Sequence, residues 1–391
     1  MEYLKRGITI AVNARMLLKN RLDGIGWIAY HTLKRMVKEH PEVNFIFLFD
    51  RPYDKEFIFG PNVTPYVVWP PTRHPLLSVI WFQIAILRIL KKIKPDLFLS
   101  HDGIITLGAH YKQLSVICDI NFFHYPKDLP FAYRTFFNYF FPRYASQATR
   151  VATLSNFCKK DIVDSYHINP DKVDVMCVGV DNTFIPLTEE EQTAVRATHT
   201  QGKKYFIFVG SLHHRKNIVR LMLAFDQFKE KSGSDMKLVL AGSFFWGKEE
   251  IDKTLQKMRY KDDVIFTGRV SDEAMPKLLA SAFCLTFVSY FEGFGMPLIE
   301  AMRAQIPIIT STVTSLPEVA GNAALCVDPF SVEEISEAML KIYKDEALRH
   351  SLIQNGIEQC KKFTWDASTQ DLWSSIAKTL SGGSGGTSPT V

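Results

Sequence analysis

The chain has 391 residues, 47% of them apolar and 22% charged, with a formal net charge of +5 and a sequence pI near 8.7. That length suggests two or three domains of ordinary size, and the apolar content is ample for large cores. The mild basic bias suits an anionic substrate or a membrane surface and falls far short of a nucleic-acid-binding signature. Six cysteines without paired spacing read as reduced thiols of a cytoplasmic protein. Lys5 and Arg6 precede an apolar run too short for a signal peptide. The most apolar stretch, residues 76–90, contains Gln83 and Arg88 and falls short of a bilayer span.

The first predicted elements are a buried-type strand at 8–12, then Gly24-Ile-Gly26 as a loop, a helix after it to about Glu39, and a strand at 45–49 ending at Asp50. Gly24 through Ala29 matches GxGxxA, and Asp50 lies where a dinucleotide-binding acid would be, so a nucleotide-dependent oxidoreductase is one reading. Against it, the glycines do not follow the strand directly, as that fingerprint requires. A plain tight turn is the bland alternative for them.

Residues 52–75 are rich in Pro and aromatics and predict an irregular surface segment with a strand at 64–69. An amphipathic helix follows at 76–94, its end basic through Arg88, Lys91, Lys92 and Lys94, and Pro95 stops it. Strands are predicted at 96–100 and 114–119, the latter ending at Cys118-Asp119. Residues 131–144 are aromatic on most faces. They read as a core helix on the sheet, or as a seat for a lipid-linked acceptor or a membrane interface. A strand at 151–155, a helix at 157–166 capped by Ser155 and a strand at 173–179 complete the first α/β domain, placed at 1–185.

Residues 186–204 are polar and read as the interdomain linker, before a second domain at 205–362. Its first strand ends at Gly210, and a basic loop containing Ser211, Arg215 and Lys216 opens a helix. Positive charge at a helix N-terminus is unfavourable against the dipole, and a bound diphosphate would resolve the conflict. A solvated basic loop is the alternative. Further strands are expected at 237–242, 263–268 and 306–310, with capped helices at 249–258, from Ser271, from about Thr314 and from Ser331. Residues 381–391 form a Gly/Ser-rich tail.

The most informative stretch is Phe-Glu-Gly-Phe-Gly-Met-Pro-Leu-Ile-Glu at 291–300. A strand pattern precedes it and a helical one follows, with Pro297 suited to a first helical turn. Gly293 and Gly295 allow a sharp turn and close backbone approach. Glu292 is placed in the loop and Glu300 in the helix's opening turn, beside N–H groups able to bind an anion. Amides for a phosphate and carboxylates for hydroxyls suit a phosphorylated sugar. Two solvated carboxylates at a helix entry are the bland alternative.

That glutamate pair around Gly-Phe-Gly-Met-Pro-Leu resembles the signature of retaining GT-B glycosyltransferases of family four. The resemblance covers residues 204–366 well and the N-terminal half more loosely. It implies two doubly wound Rossmann-like α/β domains facing a cleft, with a final helix at 363–380 crossing back to the first domain. It implies that Glu292 contacts the donor sugar, that Glu300 binds the ribose, and that Arg215 and Lys216 stabilise the leaving diphosphate. Ser211 stands where the family often has an arginine. Further donor contacts are implied at Gly210, Ser211, Gly242, Gly268, Val270, Gly293, Phe294, Gly295, Met296, Pro297 and Leu298, and a cleft-facing loop at Gly24 and Gly26. Asp119 matches the family's strand-end aspartate, but Cys118 stands where its histidine would be. His101 and His124 are candidate substitutes. The departure at Cys118 keeps open a fold that binds sugar nucleotide without transferring.

The implied reaction is metal-independent, retaining transfer of a hexose from a nucleotide diphosphate sugar, GDP-mannose ahead of UDP-hexoses, to a hydroxyl acceptor. A glycan or lipid-linked acceptor in surface-polysaccharide assembly is expected, with peripheral contact at the inner face of the membrane and no nucleic acid or further cofactor.

Overall fold

The computed structural model describes residues 7–72, 74–245 and 247–382. They form two compact units: one runs to Gly179 and resumes at Trp365, and the other is Val180–Thr364. Most of the tail expected at 381–391 lies outside the described residues.

In the first unit the strands are β1 (Thr9–Asn13), β2 (Asn44–Phe49), β3 (Val63–Val67), β4 (Leu97–Ser100), β5 (Lys112–Val116), β6 (Arg150–Thr153) and β7 (Val173–Val175). Among the described residues they pair in parallel in the order β3-β2-β1-β4-β5-β6-β7. Parallel sheets are covered on both faces, so their strands carry apolar residues on both sides. Ile10, Ala11 and Val12 in β1 and Leu97, Phe98 and Leu99 in β4 are accordingly all buried.

The helical stretch expected at 76–94 runs as Pro75–Ile80, Trp81–Ile86 and Leu87–Ile93, the middle turns widened to π geometry. Lys94, left-handed at φ 49°, ends it before Pro95. The aromatic segment forms helix Phe131–Gln147, with Phe136, Phe141 and Tyr144 buried in one core with Phe98 of β4 and Val151 of β6, and Phe131 and Tyr139 exposed.

The last helix, Trp365–Ser381, packs on helix Gly24–Glu39 within the first unit. The Trp365 ring stacks on His31 with centroids 4.3 Å apart, and Arg35 Nε donates to Asp366 at 2.7 Å. Trp365 fits because residue 179 is glycine: a Cβ there would lie 2.3 Å from the Trp365 nitrogen.

In the second unit the strands are β8 (Tyr205–Val209), β9 (Lys237–Ala241), β10 (Val264–Gly268), β11 (Cys284–Phe287), β12 (Ile308–Ser311) and β13 (Leu325–Val327). Among the described residues they form a parallel sheet ordered β10-β9-β8-β11-β12-β13. The stretch read as a linker differs from expectation. It holds helix Glu189–Thr200, opened by a capping box between Thr188 and Glu191, and it belongs to the second unit. Its buried Arg196 ties it down, donating to Ser281 O at 3.2 Å and to Glu189 at 2.8 Å. The polar composition there reflects an exposed helix face held by one arginine. Helix Glu346–Cys360 was not expected, because Leu352, Gly356 and Cys360 alone carry its buried side.

Candidate active site

Both sheets reverse their strand order once, the first between β1 and β4 and the second between β8 and β11. In open α/β sheets the loops leaving such a pair diverge and open a crevice at the strands' carboxyl ends. In the second unit the loops that leave β8 and β11 carry the basic segment and the glutamate segment, so two motifs 76 residues apart become neighbours.

The basic loop is built for this approach. β8 gives way to Gly210 at φ +141°, and β9 to Gly242, where a Cβ would lie 1.9 Å from Gly210 O. No side chain fits between those tips. The chain then forms a short turn, His214–Lys216, and Asn217 adopts the left-handed conformation before helix Ile218–Ser232. Asn217 is buried, and its Nδ2 donates to Val288 O at 3.0 Å and Pro329 O at 2.6 Å, tying the loop to the exits of β11 and β13. Tyr290 N donates to Arg215 O at 3.0 Å.

These ties deliver Arg215 and Lys216 to Glu292. Arg215 Nη1 lies 2.8 Å from Glu292 Oε2 and Lys216 Nζ 2.5 Å from Oε1, and the carboxylate is 5% exposed as a residue. Arg215 Nη1 also donates to Phe291 O at 2.9 Å, and Lys216 Nζ sits 4.9 Å from the Phe287 ring centroid. Burial alone would raise the Glu292 pKa, but the two adjacent cations outweigh it and hold it at about 2. One anion between two cations leaves the cluster with a net positive charge. Burial, with the same cations beside it, pushes His213 down to about 3, so its imidazole is neutral.

The glutamate loop is shaped by contacts that its own sequence did not reveal. Ser315 Oγ donates to Glu292 O at 2.9 Å and Phe294 O at 3.2 Å, while Glu292 N donates to Thr314 Oγ1 at 3.3 Å. The Thr-Ser pair at 314–315 reads as a helix cap from sequence, and this second use had no signal. Gly295, at φ +98°, precedes helix Met296–Arg303, with Pro297 in its first turn and Leu298 buried in the core. Glu300 falls at the start of the second turn rather than in the first, half-buried. Burial and the nearby Asp181 push it up to about 7. The two glutamates thus sit in opposite electrostatic settings.

Ser211 and the tips Gly242, Gly268 and Val270 line the adjoining ends of β8, β9 and β10, with Gly242 bridged to Gly268. The structure therefore brings Arg215, Lys216 and Glu292 together, with Gly210, Gly242 and Gly268 at adjoining strand ends. Gly24, Gly26 and Asp119 lie in the first unit. Gly24 and Gly26 are the opening residues of helix Gly24–Glu39 rather than a loop, capped by Asp23, which accepts from Gly26 N at 2.8 Å. Asp119 Oδ1 accepts from Asn121 N and Nδ2, at 3.0 and 2.5 Å, and so starts the short helix Asn121–His124.

The two substitute histidines sit in different settings, and His101 Nδ1 is a buried ring nitrogen without a hydrogen-bond partner. His101 is fully buried beside Thr32 and held neutral, its pKa lowered to about 4 by burial, and His124 pairs with Asp161 at 2.7 Å. Burial also pushes the Cys118 thiol well up. Asp50 accepts two bonds from Arg51 and two from Thr72, all within 2.8 Å, and is buried. With its oxygens so occupied it does not present the ribose-binding acid that a nicotinamide site needs. The first sheet's own reversal point holds residues the sequence did not single out: Asn13, Arg15 and Asp102, with Arg15 Nε 2.5 Å from Asp102.

Residues 22–184 match the family model described as Glycosyltransferase Family 4, and residues 190–359 match the model described as Glycosyl transferases group 1. Among curated proteins, the O-antigen chain mannosyltransferase B of Escherichia coli is 29% identical over 57% of this chain and 58% of its own length. The O-antigen chain mannosyltransferase RfbU of Salmonella typhimurium is 28% identical over 69% of this chain and 71% of its own. The chain therefore spans little more than half the length of the first of these relatives. Among solved structures, HepE of Anabaena in complex with UDP and glucose superposes with a TM-score of 0.73. That superposition covers 94% of this chain and 99% of that one at 14% identity, a likeness of fold, and the fold is GT-B.

Proposed function

The chain belongs to the group 1 glycosyl transferases of glycosyltransferase family 4, and on that premise we propose that it transfers a hexose from a nucleoside diphosphate sugar to a hydroxyl acceptor with retention at the anomeric carbon. The observation that carries this reading is the Arg215–Glu292–Lys216 cluster at the carboxyl ends of β8 and β11. Its net positive charge suits a diphosphate, and its carboxylate suits sugar hydroxyls. In this reading the bond from the anomeric carbon to phosphate breaks and a bond to the acceptor oxygen forms on the same face. The acceptor proton passes to a phosphate oxygen of the leaving nucleotide. Preorganised cations at the site of developing negative charge lower the barrier, and side-chain cations make a metal unnecessary.

Mannose from GDP-mannose is the first choice of donor, supported by the likeness to two O-antigen chain mannosyltransferases. A UDP-hexose is the second, supported by the nucleotide held by HepE. The proposed acceptor is a glycan or lipid-linked glycan of surface-polysaccharide assembly, at the inner face of the cytoplasmic membrane. No helix among the described residues is long and apolar enough to cross a membrane. Peripheral contact is supported by the exposed Trp69, Leu76 and Phe131 of the first unit, near the basic residues Arg88, Lys91 and Arg134 in sequence.

The test is release of nucleoside diphosphate from a panel of GDP-, UDP-, ADP- and dTDP-sugars, with EDTA present, by wild type and Glu292→Ala. Turnover of one donor by wild type and its loss in the variant is the expected result. Tight donor binding without turnover, with and without candidate acceptors, would instead indicate a fold that no longer transfers. No binding of any donor would overturn the assignment.

A further inference from the structure

The second unit's chain enters at Val180 and leaves at Thr364. Its two ends lie together, Val180 N donating to Phe363 O at 3.3 Å. Beside them opens a cavity of about 360 Å³, walled by Phe184, Ile185, Met302, Ile357 and Phe363. That volume is at the small end for ligand sites, which run from ~300 to ~1,000 Å³. The charged part of the wall is Arg303, the last residue of helix Met296–Arg303.

Arg303 is poorly matched by the protein around it. Its Nη2 donates to Asn182 Oδ1 at 2.6 Å, and its Nε is buried with no hydrogen-bond partner. A guanidinium carries five N–H donors, so most of these are unused. Among the described residues no acidic side chain lines the cavity, and the other cation there, Lys361, pairs with Glu358 at 2.7 Å. One cation without an acidic partner therefore borders an apolar hollow.

The same wall reaches the proposed donor site within this unit. The Phe363 ring meets Phe294 of the glutamate loop edge to face, with centroids 5.6 Å and planes 84° apart. Helix Met296–Arg303 starts at Gly295 of that loop, carries Glu300 and ends at the cavity.

We propose that this cavity is an effector site for a compact apolar carboxylate, one ring or a short chain with a single negative charge. The planar guanidinium fork matches a carboxylate, whereas a phosphate dianion needs a second cation and Lys361 is already paired. The apolar body leaves water for the phenyl and aliphatic wall. Packed side chains and rigid helices carry coupling, so filling the cavity bears on Phe294 through Phe363 and on Glu300 through its helix. That coupling rests on the nucleotide-sugar reading above, and the binding site does not.

The experiment uses the full chain, 4-phenylbutyrate as the probe, and 4-phenylbutylamine and acetate as controls, followed by saturation-transfer NMR. The probe should bind wild type, with both controls at least about tenfold weaker, and Arg303→Met should weaken the probe by about tenfold. Ile357→Trp, which fills the cavity, should abolish its binding, and circular dichroism melts verify that both variants fold. Calorimetry of GDP at rising probe concentration should show a Kd that shifts by about fivefold or more and then levels off. Absence of probe binding, equal binding of the amine, or full binding in both variants overturns the site. A GDP Kd that stays constant, or that rises without limit as in direct competition, overturns the effector role. Wild type that binds the probe but no GDP leaves the site standing and sinks the nucleotide-sugar reading, and the coupling with it.

Discussion

Glu292 and Glu300 lie eight positions apart and behave as opposites, because what surrounds each carboxyl differs. Glu292 is depressed to about 2 by Arg215 and Lys216 against the cost of burial. A carboxylate lowered in the folded state stabilises it fully above its unfolded pKa, and that contribution fades as pH falls from about 4.5 towards 2. Glu292→Gln leaves two cations facing each other in a buried place. We expect a loss of about 3 kcal/mol or more in urea denaturation, the usual result of removing one partner from a buried pair. The same variant should lose turnover yet bind GDP several-fold more tightly by calorimetry, since a net charge of about +2 then faces the diphosphate. Weaker GDP binding would mean that Glu292 itself contacts the nucleotide.

Glu300, raised to about 7 by burial and Asp181, has the reverse sign. Between about pH 4.5 and 7 the folded state binds the proton that the unfolded state has lost, so stability falls as pH rises through that window. Melting curves across pH 5 to 8 should show this slope in wild type and a flatter one in Glu300→Gln. A ribose diol that donates to this carboxyl needs the ionised form. GDP affinity should therefore rise with pH through about 7 in wild type and not in the variant.

At the scale of elements, the proposed donor site depends on how closely β8 and β9 end. Gly242→Ala sets a methyl 1.9 Å from Gly210 O, which forces the tips apart and with them the loop bearing Arg215 and Lys216. We expect lower stability by about 2 kcal/mol or more and a donor KM raised by at least about tenfold. A far smaller kinetic effect would show that the basic loop is held by Asn217 alone. The helices were legible where an apolar stripe or a cap was strong. Ser155 does cap its helix, accepting from Cys158 N at 3.1 Å, and Ser331 accepts from Glu334 N at 3.1 Å. The reciprocal capping box that Ser331 and Glu334 suggest in sequence is not closed, because Glu334 accepts from Asp328 N instead. The helix Glu346–Cys360 and the strand β13 escaped because each shows few buried apolar positions.

At the scale of the molecule, each unit carries its own core: Trp81, Phe98 and Tyr144 in the first, Phe206, Leu240 and Leu285 in the second. Separate cores imply separable cooperativity. Scanning calorimetry should resolve two transitions. GDP at about a hundredfold its Kd should stabilise the one belonging to Val180–Thr364 by about 2.7 kcal/mol, and Glu292→Gln should move that same transition down. If GDP shifts both transitions together, the nucleotide contacts or couples both units.

The amino-acid order by itself was enough for the alternation of strands and helices, the second domain's glycine tips and the glutamate motif. Buried parallel strands and glycine-forced turns leave local patterns, and a short turn between strand and helix keeps its residues adjacent in the chain. It was also enough for the expectation that Arg215 and Lys216 sit where their charge is unfavourable, since a helix start is read locally. What only the tertiary structure decided is which charges meet. Sheet order sets β8 beside β11, so a carboxylate and two cations distant in sequence meet, and Asn217, Thr314 and Ser315 hold them there. The same holds for Asp50, whose promise as a ribose ligand ends at Thr72 and Arg51. Ionisation and hydrogen-bond occupancy depend on distances through space, and spacing along the chain carries no information about those.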